Sequence, residues 1–529
     1  MSAPRLAAAL LAATVLAACA DDARAPLAPD AAPRLAAAAS PGEERQAAKT
    51  SLDLIEEDWD AGLLDRENAN RYRAYAVLAQ ERLPSKYRSA ARGKDATPSM
   101  VELARDWSTL SEPTKKEIRD LRANGFGNLQ RTKETTHFVL HYTTQGDWGV
   151  PARDADRNGT PDFIDVAADS WEFIWQREIG QLGYRAPKFT TDFAGNPSNK
   201  FHVYYRDLPY YGYAMPENLE LEALTPTPVG TASGWIVIEN DFYGFPRNDE
   251  DVTGTEVVRS GALKVTQAHE FMHAIQFNTN IYASRWMYEA HATWAEDAVY
   301  DGINDWRHYV KYFFPTRDLP LTSRDPYGGA FFMQWVTDRG GIDLARRILE
   351  ATRTTPFLTA LRDLAFGGSW TGMGAFAPAQ PTLGIADYAA GTSVVPEPRT
   401  SLLLRATHDA YPVSVAVPAA TKQVGNRAPW GLGANYVEFV PAGAGDVLTL
   451  SVDGADGHAW RAYAIVTSKT GGTTTLPITL DATTAAGTLT IRGFGRSAAK
   501  VTLAVTIADA AGAQVPFSYG ATLGGAVAN

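Results

Sequence analysis

Hydrophobic positions repeat at different intervals along the chain, and those intervals divide it. Residues 42–125 read as helical and polar, as in Ser51-Leu52-Asp53-Leu54-Ile55-Glu56-Glu57-Asp58-Trp59 and the run from Asn68 to Leu83, with breaks at Leu83-Pro84 and Glu112-Pro113. After Gly125 the pattern changes. Thr135 to Tyr142, Lys200 to Tyr205 and Gly234 to Glu239 alternate as strands do, and Asp162 to Ile179 between the first two is helical. A second apolar helical stretch is predicted from about Val257 to Phe277, with Thr253 or Thr255 as its N-cap and Asn278-Thr279-Asn280 as breakers after it. Strand, helix, strand, strand and helix make an α+β order. Gly367 to Pro398 is rich in Gly, Pro and Ala and reads as a crossing between domains. Beyond it about seven short alternating segments, from Val413 to Leu523, predict a β-sandwich.

The N-terminus departs from this globular pattern. Arg5, an apolar run from Leu6 to Leu16 and then Leu16-Ala17-Ala18-Cys19 form a signal peptide too short for a mature spanning helix. It resembles a bacterial lipoprotein signal, and Cys19, the sole cysteine of the 529 residues, stands where the lipidated residue would be. The expected divisions are a signal peptide at 1–18, an Ala/Pro-rich tether at 19–41, a helical N-terminal region at 42–125, an α+β domain at 126–395 and a β-sandwich domain at 396–529. The protein is expected to be exported and lipid-anchored in the bacterial envelope, or, with ordinary signal cleavage nearby, periplasmic or extracellular. The N-terminal region reads either as a propeptide or as a spacer; lacking Cys, it could not inhibit by placing a thiolate on a metal. A net charge of −11 argues against a nucleic-acid partner.

The chemistry concentrates in the second apolar helix. Gln267-Ala268-His269-Glu270-Phe271-Met272-His273 contains H-E-x-x-H, in which residues four apart share one helical face, so His269 and His273 can hold one metal with Glu270 beside it. A catalytic zinc needs a third protein ligand, and Arg285 to Asp297 supplies candidates. A separate stretch, Asp154-Ala155-Asp156-Arg157-Asn158-Gly159-Thr160-Pro161-Asp162-Phe163-Ile164-Asp165, has the spacing of a twelve-residue calcium loop. Asp154, Asp156, Asn158, Thr160, Asp162 and Asp165 are its candidate ligands, and an Asx-rich turn is the alternative.

H-E-x-x-H followed by Tyr288-Glu289-Ala290-His291-Ala292 resembles the gluzincin metallopeptidases. The longer strings around both helices are similar to a group of exported bacterial metallopeptidase-like proteins, over residues 45–350. The resemblance implies a zincin-like catalytic domain with Glu289 as third zinc ligand. Glu296, two turns later on nearly the same face, is the alternative ligand or a partner that orients a His. It implies a zinc-activated water with Glu270 as general base, acting on a peptide or protein substrate. Tyr327 resembles the Tyr that supplies an oxyanion donor in aminopeptidase relatives, a core Tyr being the other reading. In zincins an edge strand grips extended substrate, and Trp235 to Asn240 is the expected one. Endopeptidase action is favoured over aminopeptidase action, which Ile238-Glu239-Asn240 faintly suggests. A non-catalytic, calcium-stabilised binding or adhesion lipoprotein is the competing class.

Overall fold

The computed structural model describes residues 49–526 except 190, 193–194, 220–229, 249, 252–258, 315, 442–444 and most of 381–427. The signal peptide, the tether, Cys19 and the expected caps Thr253 and Thr255 lie outside the described residues. Among the described residues no helix is long and apolar enough to cross a membrane.

Four helices open the described chain: α1 (Ser51–Asp60), α2 (Arg66–Leu78), α3 (Thr97–Asp106) and α4 (Glu112–Asn124), with the short strand β1 (Gly93–Asp95) just before α3. Side-chain oxygens of Thr50, Asp65 and Ser111 cap α1, α2 and α4, each accepting an N–H of the first turn that the helix cannot satisfy itself. A buried bidentate pair, Arg73 to Glu56 at 2.6 and 2.8 Å, ties α2 to α1.

The central part contains β2 (Arg131–Glu134), β3 (Phe138–Tyr142), α5 (Asp162–Trp175), β4 (Phe201–Arg206), β5 (Tyr210–Pro216), β6 (Gly234–Glu239), α6 (Ser260–Asn280) and α7 (Arg285–Val299). Its sheet is mixed, in the order β1-β5-β6-β4-β3-β2. β5 runs antiparallel to β6, and β1 pairs parallel with β5 in the register Gly93 to Tyr210 and Asp95 to Gly212. Apart from the largely exposed edge strand β2, the sheet is buried on both faces. One face packs on α5, α6 and α7 through Phe138, Tyr205, Ile236 and Ile238. The other carries Tyr204, Tyr213, Trp235 and Val237 and is covered by Leu52, Ile55, Leu103, Trp107 and Ile118 of the N-terminal helices. Because alternate residues of a strand point to opposite faces, a strand buried on both sides is apolar along its length, as β6 is from Gly234 to Ile238 before it ends in Glu239.

That topology corrects one expectation. The strand from Trp235 is interior, flanked by β5 and β4, so it cannot grip a substrate. The strand next to the H-E-x-x-H helix at the sheet margin is β5, and β1 covers its outer edge.

Helices Ala330–Gly340, Asp343–Ala351 and Phe357–Phe366 follow α7. The C-terminal part forms a four-stranded and a five-stranded sheet around a shared core that includes Leu448, Leu450, Ile491, Val437, Leu503 and Val505. These strands include Thr473–Ile478, which the alternation of the sequence did not single out.

Candidate metal centre

Helix α6 is buried around nearly its whole circumference, which makes it the central helix of the domain. None of its own side chains caps its start. Asp251 Oδ1 does so instead, accepting the backbone N–H groups of Gly261 at 3.0 Å and Ala262 at 3.2 Å. A short turn leads into α7, whose N-cap Ser284 accepts the Met287 N–H at 3.4 Å. Gln276 Nε2 donates to the Tyr288 carbonyl at 3.0 Å and locks the two helices face to face.

This packing brings together His269, His273 and Glu289, with His269 Nε2 3.4 Å from Glu289 Oε2 and His273 Nε2 3.7 Å from Glu289 Oε1. A fourth residue joins them that the sequence reading did not include. Asp95, at the end of β1, places Oδ2 3.4 Å from His273 Nε2 and 4.0 Å from His269 Nε2. One donor atom from each of the four residues lies within 4.8 Å of the others, and all four residues are buried. Asp95 Oδ2, His269 Nε2, His273 Nε2 and both Glu289 oxygens make no hydrogen bond. Buried polar atoms are seldom left so, and five converging on one point match what a cation would satisfy.

The second nitrogen of each imidazole is accounted for. His269 Nδ1 lies 2.7 Å from Glu296 Oε1, and His273 Nδ1 lies 2.8 Å from Gln276 Oε1. Both partners are acceptors, so each Nδ1 carries the proton and each Nε2 offers its lone pair to the centre. Glu296 is thus placed as an orienting partner and not among the converging ligands. Gln276 was within reach of sequence reasoning, being one turn past His273 on the same helix.

Glu296 is itself held by Lys94 Nζ at 2.8 Å, and Lys94 also pairs with Asp305. Burial pushes the Glu296 carboxyl up to about 8, against the pull of Lys94. Burial also drives the carboxyls of Glu270 and Glu289 well above the ordinary range, reinforced by the neighbouring Asp95. Burial and the adjacent His273 hold His269 well below an ordinary imidazole. Three carboxyls crowded into one buried pocket cannot all ionise without a cation between them.

Glu270 points beside the cluster. Its Oε2 accepts the Thr97 hydroxyl at 3.1 Å, while Oε1 makes no hydrogen bond. Gly212 on β5 permits that approach, since a Cβ there would meet Glu270 Cγ at 3.0 Å and the Val237 carbonyl at 3.0 Å. The Tyr327 ring lies 6.3 Å from that of His269, and burial followed by the nearby Glu289 raises its phenol well above the ordinary value. His291 turns away to Tyr184, its Nε2 2.6 Å from the phenol oxygen. Glu239 accepts the backbone N–H groups of Asp241, at 2.6 Å, and of Phe242, and lies 3.8 Å from Arg92. His141 and His202 stack on adjacent strands.

At the second candidate site, Asp154, Asp156 and Asp162 come together at the surface. Asp165 is 3.0 Å from Lys133 Nζ and also accepts from Asn158 Nδ2 at 2.8 Å. Asp154 accepts the N–H groups of Asn158 and Gly159, while the Thr160 backbone N–H donates to Asn158 Oδ1.

No protein-family profile matches the chain, and no curated protein matches it. Among solved structures it is similar to the pre-peptidase C-terminal domain of a collagenase from Bacillus anthracis, at 9% identity and a TM-score of 0.16, over 22% of this chain and 96% of that one. Another is a 4-O-methyl-α-glucuronidase of family GH115 with specificity for decorated arabinogalactans, at 10% identity and a TM-score of 0.14, over 50% of this chain and 39% of that one. Likenesses this slight carry no conclusion about fold or activity.

Proposed function

We propose that this chain is a zinc-dependent endopeptidase, a reading carried by the convergence of unpartnered His269, His273 and Glu289 donors beside the unligated carboxyl of Glu270. Two imidazoles and carboxylate oxygen form a donor set that suits zinc. When bound, the metal would polarise the substrate carbonyl and acidify water. Glu270 would take the proton of the attacking water on its carboxylate and pass it to the departing amine nitrogen. Glu296 and Gln276 hold the two imidazoles in the required tautomer. Tyr327, whose ring lies 6.3 Å from that of His269, would be the phenol that donates to the oxygen gaining charge.

Endopeptidase action is preferred to aminopeptidase action because Glu239, which would have to receive a substrate amine, is engaged by backbone N–H groups at the end of β6. A purely structural metal site is the second reading, favoured by Asp95, which supplies a fourth protein donor. Glu270 weighs against it, since a structural site has no use for a buried, unligated carboxyl next to a ligand. Calcium at the Asp154 loop remains part of the proposal, as a stabilising ion on the three grouped carboxylates.

The test is metal analysis with a peptide-hydrolysis assay on Glu270→Gln, made both in the wild-type chain and together with Asp95→Asn. Zinc should be retained in both backgrounds, and in the Asp95→Asn background hydrolysis should fall by at least about a hundredfold. Hydrolysis in that background indifferent to Glu270→Gln refutes the mechanism.

A further inference from the structure

We infer that Asp95 is a fourth protein ligand to the metal and that the segment from Gly93 to Thr97 occupies the place of an extended substrate, so that the structure shows a latent form. This rests on the metal-dependent hydrolase reading above and deepens it.

Three observations carry the inference. The first is at the metal site. Asp95 Oδ1 is fixed by the Thr97 backbone N–H and hydroxyl, both at 2.8 Å, and this turn leaves Oδ2 aimed at the two Nε2 atoms without a hydrogen bond of its own. A catalytic zinc keeps one position for water, and a fourth protein oxygen fills it.

The second is at the sheet margin. The outer edge of β5 beside Glu270 is where a peptide would add as a strand. The segment already engages that edge. Gly93 donates its N–H to the Pro209 carbonyl at 2.9 Å, Ala96 donates to the Gly212 carbonyl at 3.3 Å, and the Ala214 N–H donates to Thr97 Oγ1 at 2.8 Å. The segment runs parallel to β5. A Cβ at Gly93 would fall 2.7 Å from the Tyr210 ring, so this close seating needs the glycine.

The third is how specifically the segment is anchored. Thr97 Oγ1 reaches Glu270, the proposed base, and Lys94 reaches Glu296, the carboxylate that orients His269. Three residues of one short stretch, Lys94, Asp95 and Thr97, therefore address a ligand's orienting partner, the metal centre and the base. The site has no open face as a result, for Asp95, His269, Glu270, His273 and Glu289 are each at most 8% exposed.

The experiment uses the full-length chain loaded with cobalt(II), whose visible spectrum reports ligand number, and acetohydroxamate as the probe for a free coordination position. Asp95→Asn keeps an oxygen for the Thr97 turn but gives a poorer metal donor, and Asp95→Ala removes the donor outright. In wild type, acetohydroxamate is expected to leave the spectrum unchanged. In both variants the spectrum should shift, acetohydroxamate should bind, and metal affinity measured against a chromophoric chelator should fall by at least tenfold. Hydrolysis of an N-acetylated peptide should rise in Asp95→Asn. If Asp95→Ala unfolds, Asp95→Asn alone decides. A wild-type spectrum that responds to acetohydroxamate as fully as that of Asp95→Asn overturns this inference alone. A wild-type chain whose metal uptake is indifferent to Glu289→Gln and His273→Ala overturns the metal-site reading beneath it.

Discussion

Lys94 offers the sharpest quantitative test of how the N-terminal region is bound to the centre. Its ammonium lies 2.8 Å from Glu296 Oε1 and also pairs with Asp305, and none of the three side chains is more than 3% exposed. At an effective dielectric of about 20, a fully charged pair at that separation attracts by about 6 kcal/mol, and the desolvation that lifts the Glu296 carboxyl to about 8 returns much of it. Removing the cation is the costly change, because two carboxyls stay buried without their partner. Lys94→Met keeps the stem's volume, so the loss is electrostatic, and breaking a buried pair costs about 3–5 kcal/mol. Denaturant unfolding of wild type and variant at neutral pH measures it.

The pH dependence has a definite sign. Burial works against the charge on Lys94, but Asp305 and Glu296 raise its pKa, so its contribution is full below the ordinary lysine value of about 10.4 and is lost only as pH rises through the folded value. Burial would raise Asp305, but Lys94 holds its carboxyl below the usual range, so that contribution is present above about pH 3.9 and fades as pH falls through the folded value. In Lys94→Met the stranded carboxyls protonate more readily. The stability gap should therefore narrow toward about pH 4.5. A gap under about 1 kcal/mol at neutral pH, or one equally large at about pH 4.5, would refute the reasoning.

Two further changes probe the centre from other sides. Glu296→Gln weakens the partner of His269 Nδ1 and is expected to lower zinc affinity by about 10–100-fold, read by chelator competition; an unchanged affinity would show that Glu296 does not tune the ligand. Gly212→Ala sets a methyl 3.0 Å from both Glu270 Cγ and the Val237 carbonyl, an overpacking worth about 1–3 kcal/mol, so thermal stability should drop while metal content is kept; a neutral substitution would mean that β5 and α6 are not held so close.

What the sequence disclosed follows the reach of local geometry. His269, Glu270 and His273 share a helical turn or two, so their spacing brought them into view, while Glu289 on the next helix was singled out by the resemblance to gluzincins. Asp95 has no such neighbourhood. It belongs to a three-residue strand between helices, and the contact made by its neighbour Thr97 with Glu270 spans 173 positions. No period predicts an encounter of that range. The misplaced cleft strand is a different failure, because its signals were present. Gly234-Trp235-Ile236-Val237-Ile238 is an unbroken apolar run, as an interior strand requires, whereas Tyr210-Tyr211-Gly212-Tyr213-Ala214-Met215-Pro216 carries the glycine and terminal proline suited to a margin. The capping of α6 was invisible for the same reason as Asp95, since Asp251 lies 10 positions before Gly261, whose N–H it accepts.

The apolar second face of the central sheet constrains how this molecule could be shortened or matured. Tyr204, Tyr213, Trp235 and Val237 lie under Leu52, Ile55, Trp107 and Ile118, so a chain begun near residue 126 would present them to solvent as a broad sticky surface. Wholesale loss of the first four helices would trade latency for aggregation. A less disruptive opening would be a local one, in which Gly93 to Ala96, just before α3, peel from β5 while the helices stay docked. Amide exchange should then find Gly93 and Ala96 exchanging by a cheaper route than the interior of α2, although all of them belong to one N-terminal region.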